Sequence, residues 1–346
     1  MPSQPSVQQP YDAILVVSFG GPEKRDDVLP FLENVLRGRN VPRQRMLEVA
    51  EHYFYFGGVS PINAQTQELV EFLRRDLSAA GIHLPVYWGN RNWHPLLPDT
   101  MRRMQSAGIR RALAWVSSAY GSYAGCRQYL ENLEDARAAV GPEAPQIDRM
   151  RLFFNHPGFI EATAERVAEA LSRIPAAERS EAPILFTAHS IPLAMAAGCP
   201  YVGQLQETCR LVGERLGHDR WRLVYQSRSG PPAQPWLEPD VCHAIRQLCG
   251  EERPAQVVVA PIGFLSDHVE VLYDLDVEAR RVCDEVGVAM IRASTVGTHP
   301  RFVRTIRELI VERLDDDAPR LALGESGPSP DRCAATCCQG PPRRSG

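Results

Sequence analysis

Short apolar runs separated by helix-length segments set the strongest limit on this chain, because such alternation builds α/β layers on parallel sheets rather than bundles or sandwiches. Ala13 to Ser18, Val86 to Asn90, Arg111 to Val116 and Leu152 to Asn155 read as buried strands. The pattern returns in Pro183 to Ala188, Trp221 to Gln226, Gln256 to Pro261 and Val288 to Ala293, with helical stretches such as Tyr201 to Leu216 between them. Two similar halves of four parallel strands are expected, each doubly wound, with ligands bound beyond the carboxyl ends of the strands. At 346 residues the chain exceeds one ordinary core. The expected division is a disordered N-terminus (residues 1–10), a first domain (11–160), a second domain (161–314) and a linker with a cysteine-containing tail (315–346). A helix from His299 to Leu314 closes the globular part, and DDDAPRLALGESGPSP after it has the Pro, Gly and Ser content of a linker.

Charge and apolar content narrow the partners. A formal net charge of -4, a pI of ≈ 6.2 and the lack of any long Lys/Arg cluster give nucleic acid nothing to hold. No stretch approaches the roughly 18 apolar residues of a spanning helix, so no integral membrane segment is expected. The opening MPSQPSVQQP lacks the basic and apolar regions of an export signal, which leads to the expectation of a cytoplasmic protein. Nine cysteines, an odd number, then make a poor disulfide framework, and metal binding becomes the better question.

In LFTAHSIP, His189 ends an apolar strand shortly before Pro192, a crevice position. An imidazole there can bind a divalent metal or accept a proton, although a structural loop histidine fits the same place. In PIGFLSDHVEVLYDLDVEARR a strand ends at Pro261, and a helix is expected to start near Ser266 or Asp267, both good N-cap types. Glu270, Asp274 and Glu278 then fall at i, i+4 and i+8 on one face, where like charges repel by roughly a few tenths of a kcal/mol per pair. A divalent cation moving along the row would relieve that repulsion, and a solvated acidic face is the plainer alternative. The turn SFGGPE, before a helix near Arg25 to Asp27, has glycines for a tight turn, but GxGxxG is absent and no nucleotide cofactor is supported. FYFGGVSPI places Tyr53 to Phe56 before Ser60, a composition that suits a flat apolar ligand or simple core packing. YQSRSGPPAQPWLEPD mixes Gln226, Arg228 and Trp236 with four prolines and reads as a crevice wall or a rigid connector.

Taken in order, SFGGPE, GGVSPI, FTAHSIP, YQSRSGPPAQPWLEPD and PIGFLSDHVEVLYDLDVE resemble the ferrochelatase family over residues 11 to 314. The resemblance implies a lyase that inserts Fe2+ into a porphyrin, with two Rossmann-like, chelatase-type domains and a porphyrin cleft between them. It implies His189 and Glu270 as the catalytic, metal-facing pair for the substrate iron, Asp274 and Glu278 as an outer path, and Ser60 and Tyr123 as porphyrin contacts. Phe19 stands where some relatives carry a Tyr that ligates product iron, and a phenyl ring has no oxygen to offer. Arg91 is placed to reach a porphyrin propionate, which a guanidinium recognises well.

The tail DRCAATCCQG carries Cys333, Cys337 and Cys338, one thiol short of the four that hold a [2Fe-2S] cluster. By resemblance to actinobacterial-type ferrochelatases, which combine an internal cysteine with three in a C-terminal tail, Cys126 in YGSYAGCRQY is the fourth. A free tail with reactive thiols, or a zinc site, would use the same residues. The apolar, membrane-facing lip of animal relatives would fall after the GGPE turn, where this chain has the charged DDVLPFLENVLRGRNVPRQRM. That implies a soluble enzyme of the branch that converts coproporphyrin III to Fe-coproporphyrin III (coproheme) in haem biosynthesis, with a downstream haem-pathway enzyme as partner. Protoporphyrin IX is the alternative substrate. A cobalt or nickel chelatase of related fold, or a non-catalytic haem- or iron-binding protein, are the alternative functions.

Overall fold

The computed structural model describes residues 10–38, 41–230, 233–334 and 336–340; residues 1–9, within the expected disordered N-terminus, lie outside these. In the first half, β1 (Ala13–Ser18), β2 (Val86–Asn90), β3 (Arg111–Val116) and β4 (Gln146–Arg149) form a parallel sheet in the order β2-β1-β3-β4. The second half repeats this winding with β5 (Ile184–His189), β6 (Trp221–Gln226), β7 (Gln256–Ala260) and β8 (Ala289–Arg292) in the order β6-β5-β7-β8. The crossovers are α1 (Val28–Val35), α2 (Arg43–Tyr55), α3 (Ile62–Ala79), α4 (Leu97–Ser106) and α5 (Gln128–Val140) in the first half. They are α6 (Pro157–Leu171), α7 (Leu193–Ala196), α8 (Tyr201–Leu216), α9 (Val241–Glu251), α10 (Val269–Val271), α11 (Arg280–Val286) and α12 (Pro300–Leu314) thereafter. Among the described residues no helix is long and apolar enough to cross a membrane.

The fourth strand departs from its expected place. Leu152 to Asn155 is irregular, and the strand is the more polar Gln146–Arg149. As an edge strand that pairs with β3 alone among the described residues, β4 can carry Asp148, whose carboxylate accepts from Tyr11 Oη (3.2 Å) and Arg111 Nε (2.9 Å). The apolar run is apolar for another reason: it enters the core, where Phe153 stacks on Trp115 at 5.9 Å and meets Phe302 at 6.0 Å. Burial and strand period are separate signals, and a short apolar run reports only the first.

The largest core joins the halves through Trp115, Phe153, Phe159 and Phe302, each buried side chain of this kind stabilising by roughly 1.5–3 kcal/mol. α12 packs on α6 and also on α3, where Arg307 Nε pairs with Asp76 at 2.6 Å, so the last helix returns to the first half. Residue 160, the expected domain boundary, falls inside α6. Residues 315–330 contain no helix or strand, yet they are pinned. Buried Asn155 donates through Nδ2 to Leu323 O and Gly327 O, both at 2.9 Å, and Arg151 donates to Leu321 O at 2.7 Å while pairing with Glu312. This strap carries the tail back to the first half.

Candidate functional site

In the order β6-β5-β7-β8 the crossovers leave β5 in opposite directions, so a crevice opens beyond the carboxyl ends of β5 and β7. His189 is the last residue of β5, and Glu270 follows β7 on α10. The two meet in that crevice, with His189 Nε2 at 3.7 Å from Glu270 Oε2, and His268 Nε2 lies 3.7 Å from the same oxygen. His189 Nδ1 is 2.5 Å from Ser190 O; because a carbonyl only accepts, Nδ1 carries the hydrogen, and Nε2 is the ring atom turned toward Glu270. His52 and Tyr53 of α2 bring the first half within the field of the Glu270 carboxylate. Enclosure by these walls pushes Glu270 up, although 41% of its side-chain surface stays exposed. The neighbouring imidazoles of His268, His189 and His52 outweigh that and hold Glu270 at about 2, so it is ionised at neutral pH.

The acidic helix starts later than Ser266 or Asp267. It begins at Val269, with His268 extended in the N-cap position. Asp267 is engaged elsewhere, its carboxylate accepting from Arg292 at 3.1 and 3.2 Å and its N–H donating to Gln65 Oε1 at 2.9 Å. Val269 is buried against Val28, Phe31 and Tyr53, which fastens the helix start to the first half. Leu272–Ala279 is then a π-helix before α-geometry resumes in α11. Its i→i+5 bonding turns less per residue than an α-helix, so four-residue steps stay near one line, and such segments concentrate at functional sites. Asp274 accepts from Gln226 Nε2 at 3.1 Å and from Ser227 Oγ. Burial pushes its carboxyl up, and the charges of Glu270 and Glu278 add to the effect against those hydrogen bonds, leaving it at about 7. Burial also raises Glu278.

The proline-rich loop after β6 is stitched to the segment after His189. Ser190 Oγ donates to Leu237 O at 2.8 Å, Leu237 N donates to Ile191 O at 3.0 Å, and Pro192 bridges to Trp236. Across the crevice His52 of α2 stacks on Tyr273 at 3.7 Å, with Tyr55 exposed beside them. Ser60 is buried beneath the first turn, where a Cβ on Gly21 would lie 2.8 Å from Ser60 Cβ, so the approach requires glycine. Phe19 packs edge-on to Phe31 at 6.3 Å. The Arg91 guanidinium sits 5.3 Å from the Phe19 ring and 5.1 Å from the Tyr129 ring, and donates to Ala124 O at 3.3 Å. Tyr123 Oη donates to Glu131 at 3.1 Å, and its ring lies against Gly340, where a Cβ would come within 2.4 Å of a ring carbon. Sequence reasoning missed His268, His52 and Tyr273 as crevice residues. Only His268, beside Glu270 in SDHVE, carried a local signal.

A second group of reactive side chains lies on the first half. Cys126 sits on a π-turn, Tyr123–Arg127, whose N-cap Ser122 Oγ accepts from Gly125 N at 3.0 Å. Cys126 and Cys338 are both buried and share a hydrogen bond, and Cys337 Sγ is 3.5 Å from Cys338 Sγ. That bond, against burial and with help from Arg149 and Arg127, lowers the Cys126 thiol to about 6. Cys338, on the other side of the same bond, is pushed up. Cys333 is exposed but lies within the fields of Cys126 and Cys337, and half-buried Cys199 senses the same two. Among the described residues no three His, Cys, Asp or Glu side chains converge tightly enough for a single metal ion. Cys338 is common to both contacts, with Cys126 on one side and Cys337 on the other, so the thiols form a row of thiolate-forming donors.

A profile of the ferrochelatase family matches residues 11–314. A ferrochelatase of Rhodopirellula baltica is 55% identical over 335 residues, spanning 97% of this chain and 95% of that one. A coproporphyrin III ferrochelatase of Streptomyces coelicolor is 50% identical over 351 residues, spanning 95% of this chain and 93% of that one. Among solved structures, SirB from Bacillus subtilis with Fe3+ superposes with a TM-score of 0.55 at 12% identity, covering 90% of this chain and 98% of that one. At that identity the likeness shows the chelatase-type fold and nothing further.

Proposed function

Because the chain belongs to the ferrochelatase family, lyases of haem and porphyrin biosynthesis, we propose that it inserts Fe2+ into coproporphyrin III to give coproheme. The observation that carries the substrate choice is the 50% identity, over nearly the whole length, to a curated relative named for coproporphyrin III. The lip formed by α1 and α2 supports it. Val28, Phe31, Leu32 and Met46 turn inward, while Arg43, Arg45 and Glu48 face water, a surface suited to a tetracarboxylate arriving from the cytoplasm. In this reading the halves 11–160 and 161–314 are the two walls of the porphyrin cleft. Ser60, Tyr123 and Phe19 contact the ring and Arg91 pairs with one of its carboxylates. An enzyme that consumes coproheme is the downstream partner.

Two pyrrole protons leave the ring for each Fe2+ that enters. In its neutral form His189, with Nδ1–H bonded to Ser190 O, takes up the two protons at Nε2 one after the other, releasing the first toward solvent before the second leaves the ring. Ionised Glu270 stabilises the imidazolium that forms and attracts the incoming cation, and imidazole with carboxylate suits ferrous iron. Asp274, titrating at about 7, exchanges protons at neutral pH and with Glu278 forms the outer path. Cys126, Cys333, Cys337 and Cys338 are the ligands we assign to a [2Fe-2S] cluster. When bound, it supplies one-electron redox chemistry and a link between tail and first half.

The test is anaerobic incubation of the full chain with ferrous iron and either porphyrin, followed through the Soret band. Coproporphyrin III should be metallated with kcat/KM at least about tenfold above that for protoporphyrin IX, a difference of about 1.4 kcal/mol in transition-state binding. A reversed preference without detergent would overturn the substrate choice, and turnover with cobalt or nickel but not iron would overturn the metal.

A further inference from the structure

Arg149, the last residue of β4, is 9% exposed, and among the described residues no carboxylate pairs with it. Its neighbour Asp148 is already held by Tyr11 and Arg111, with Arg332 3.6 Å away. A buried guanidinium without a counter-anion is costly, so its placement calls for a negative group. What it does meet is a thiol: Nη1 lies 3.0 Å from Cys126 Sγ and 3.3 Å from Cys126 O. Its Nε is buried and has no hydrogen-bond partner among the described residues. Arg313 Nη1 donates to Arg149 O at 3.4 Å, which fixes the strand end from α12. The cation therefore sits, held from behind, at the one place where the tail's buried Cys338 meets the first half's buried Cys126.

We propose that Arg149 is the buried counter-cation of this thiolate site, donating to Cys126 and compensating the negative charge of the group the four cysteines bind. The inference rests on the [2Fe-2S] reading above. Such a cluster is anionic when oxidised and gains one further negative charge when reduced, so an adjacent fixed cation stabilises the reduced form more and raises the reduction potential. Arginine stays charged at every working pH, and its fork can serve the sulfur while a second nitrogen remains for another acceptor. Arg149 acts through Cys126 and is a positioning residue.

The experiment compares full-length wild type with Arg149→Gln, which keeps a donor and loses the charge, and Arg149→Lys, which keeps the charge. Each protein is purified anaerobically and its iron and acid-labile sulfide are measured. The cluster is then titrated with dithionite through its visible absorption and challenged with a ferrous chelator. Wild type should hold iron and sulfide in equal amounts. Arg149→Gln should titrate at a more negative potential and lose iron to the chelator at least fivefold faster, whereas Arg149→Lys should stay within twofold of wild type. A Gln variant with unchanged potential and loss rate overturns the inference while leaving the cluster intact. A Lys variant displaced as far as Gln removes charge as the cause. Wild type without labile sulfide, whether zinc-loaded or metal-free, overturns the cluster reading itself.

Discussion

Glu270 and Asp274 stand four residues apart on one helix and titrate on opposite sides of their ordinary range. Burial pushes both up. At Glu270 the surrounding imidazoles of His268, His189 and His52 override it, whereas at Asp274 two flanking carboxylates reinforce it. In the proposed function that divergence gives Glu270 the fixed charge and Asp274 the proton exchange. His189→Ala should lower kcat for iron insertion by about 100-fold or more while the Soret shift on porphyrin binding persists, because the proposed porphyrin contacts do not include His189. Glu270→Gln should be nearly as damaging, and Glu278→Gln should cost less than about tenfold. Equal losses at positions 270 and 278 would contradict a gradient along the helix. His189 and the carboxylate spacing were legible because each depends on a few adjacent residues. His52 was not, since nothing in EHYFYF indicates that α2 folds over the second half.

At the scale of elements, the junction of α6 and α12 carries a built-in pH response. His156 caps α6, its Nδ1 accepting from Gly158 N at 3.2 Å, and it is fully buried. Burial, then the charges of Arg151 and Arg301, hold the imidazole down to about 3. Glu308 Oε2 is 3.6 Å from Nε2 and would favour protonation, but Arg301 already donates to that carboxylate at 3.1 and 2.9 Å. Below the unfolded value near 6.5 the unfolded chain binds a proton that the folded one refuses, so stability is complete above that pH and falls as pH drops toward 3. From pH 7 to pH 5 this group should cost about 2 kcal/mol. His156→Asn, which keeps an N-cap acceptor, should lose less stability over that interval by urea denaturation. Parallel pH slopes for variant and wild type would show that His156 contributes nothing to the response. The displaced β4 and the late start of the acidic helix belong to this scale too. Asp148 and Asp267 are claimed by Arg111 and Arg292, partners that local propensity cannot see.

For the whole molecule, the strap makes the tail part of the fold. Truncation after Leu314 removes the acceptors of Asn155 Nδ2 and the tail cysteines that meet Cys126. It should lower the thermal midpoint by on the order of 5 °C and abolish any visible absorption. Replacing Cys126, Cys333, Cys337 or Cys338 by Ser should bleach that absorption, while Ser at Cys209, Cys242, Cys249 or Cys283 should leave it unchanged. Cys199 is the instructive control, because it stands within the field of Cys126 and Cys337 without being counted among the ligands. A truncated chain with unchanged spectrum and midpoint would show that the tail docks without consequence. The strand–helix alternation, the crevice position of His189 and the acidic row on one helix were determined by the sequence alone, because hydrophobic period and short spacing are local properties. Only the tertiary structure decided that α12 returns to the first half, that α2 brings His52 over Glu270, and that a strap of irregular backbone carries Cys338 to Cys126 beside Arg149. Those meetings join residues far apart in the chain, and what selects them is the need to bury a common core and to give each enclosed charge and polar group a partner.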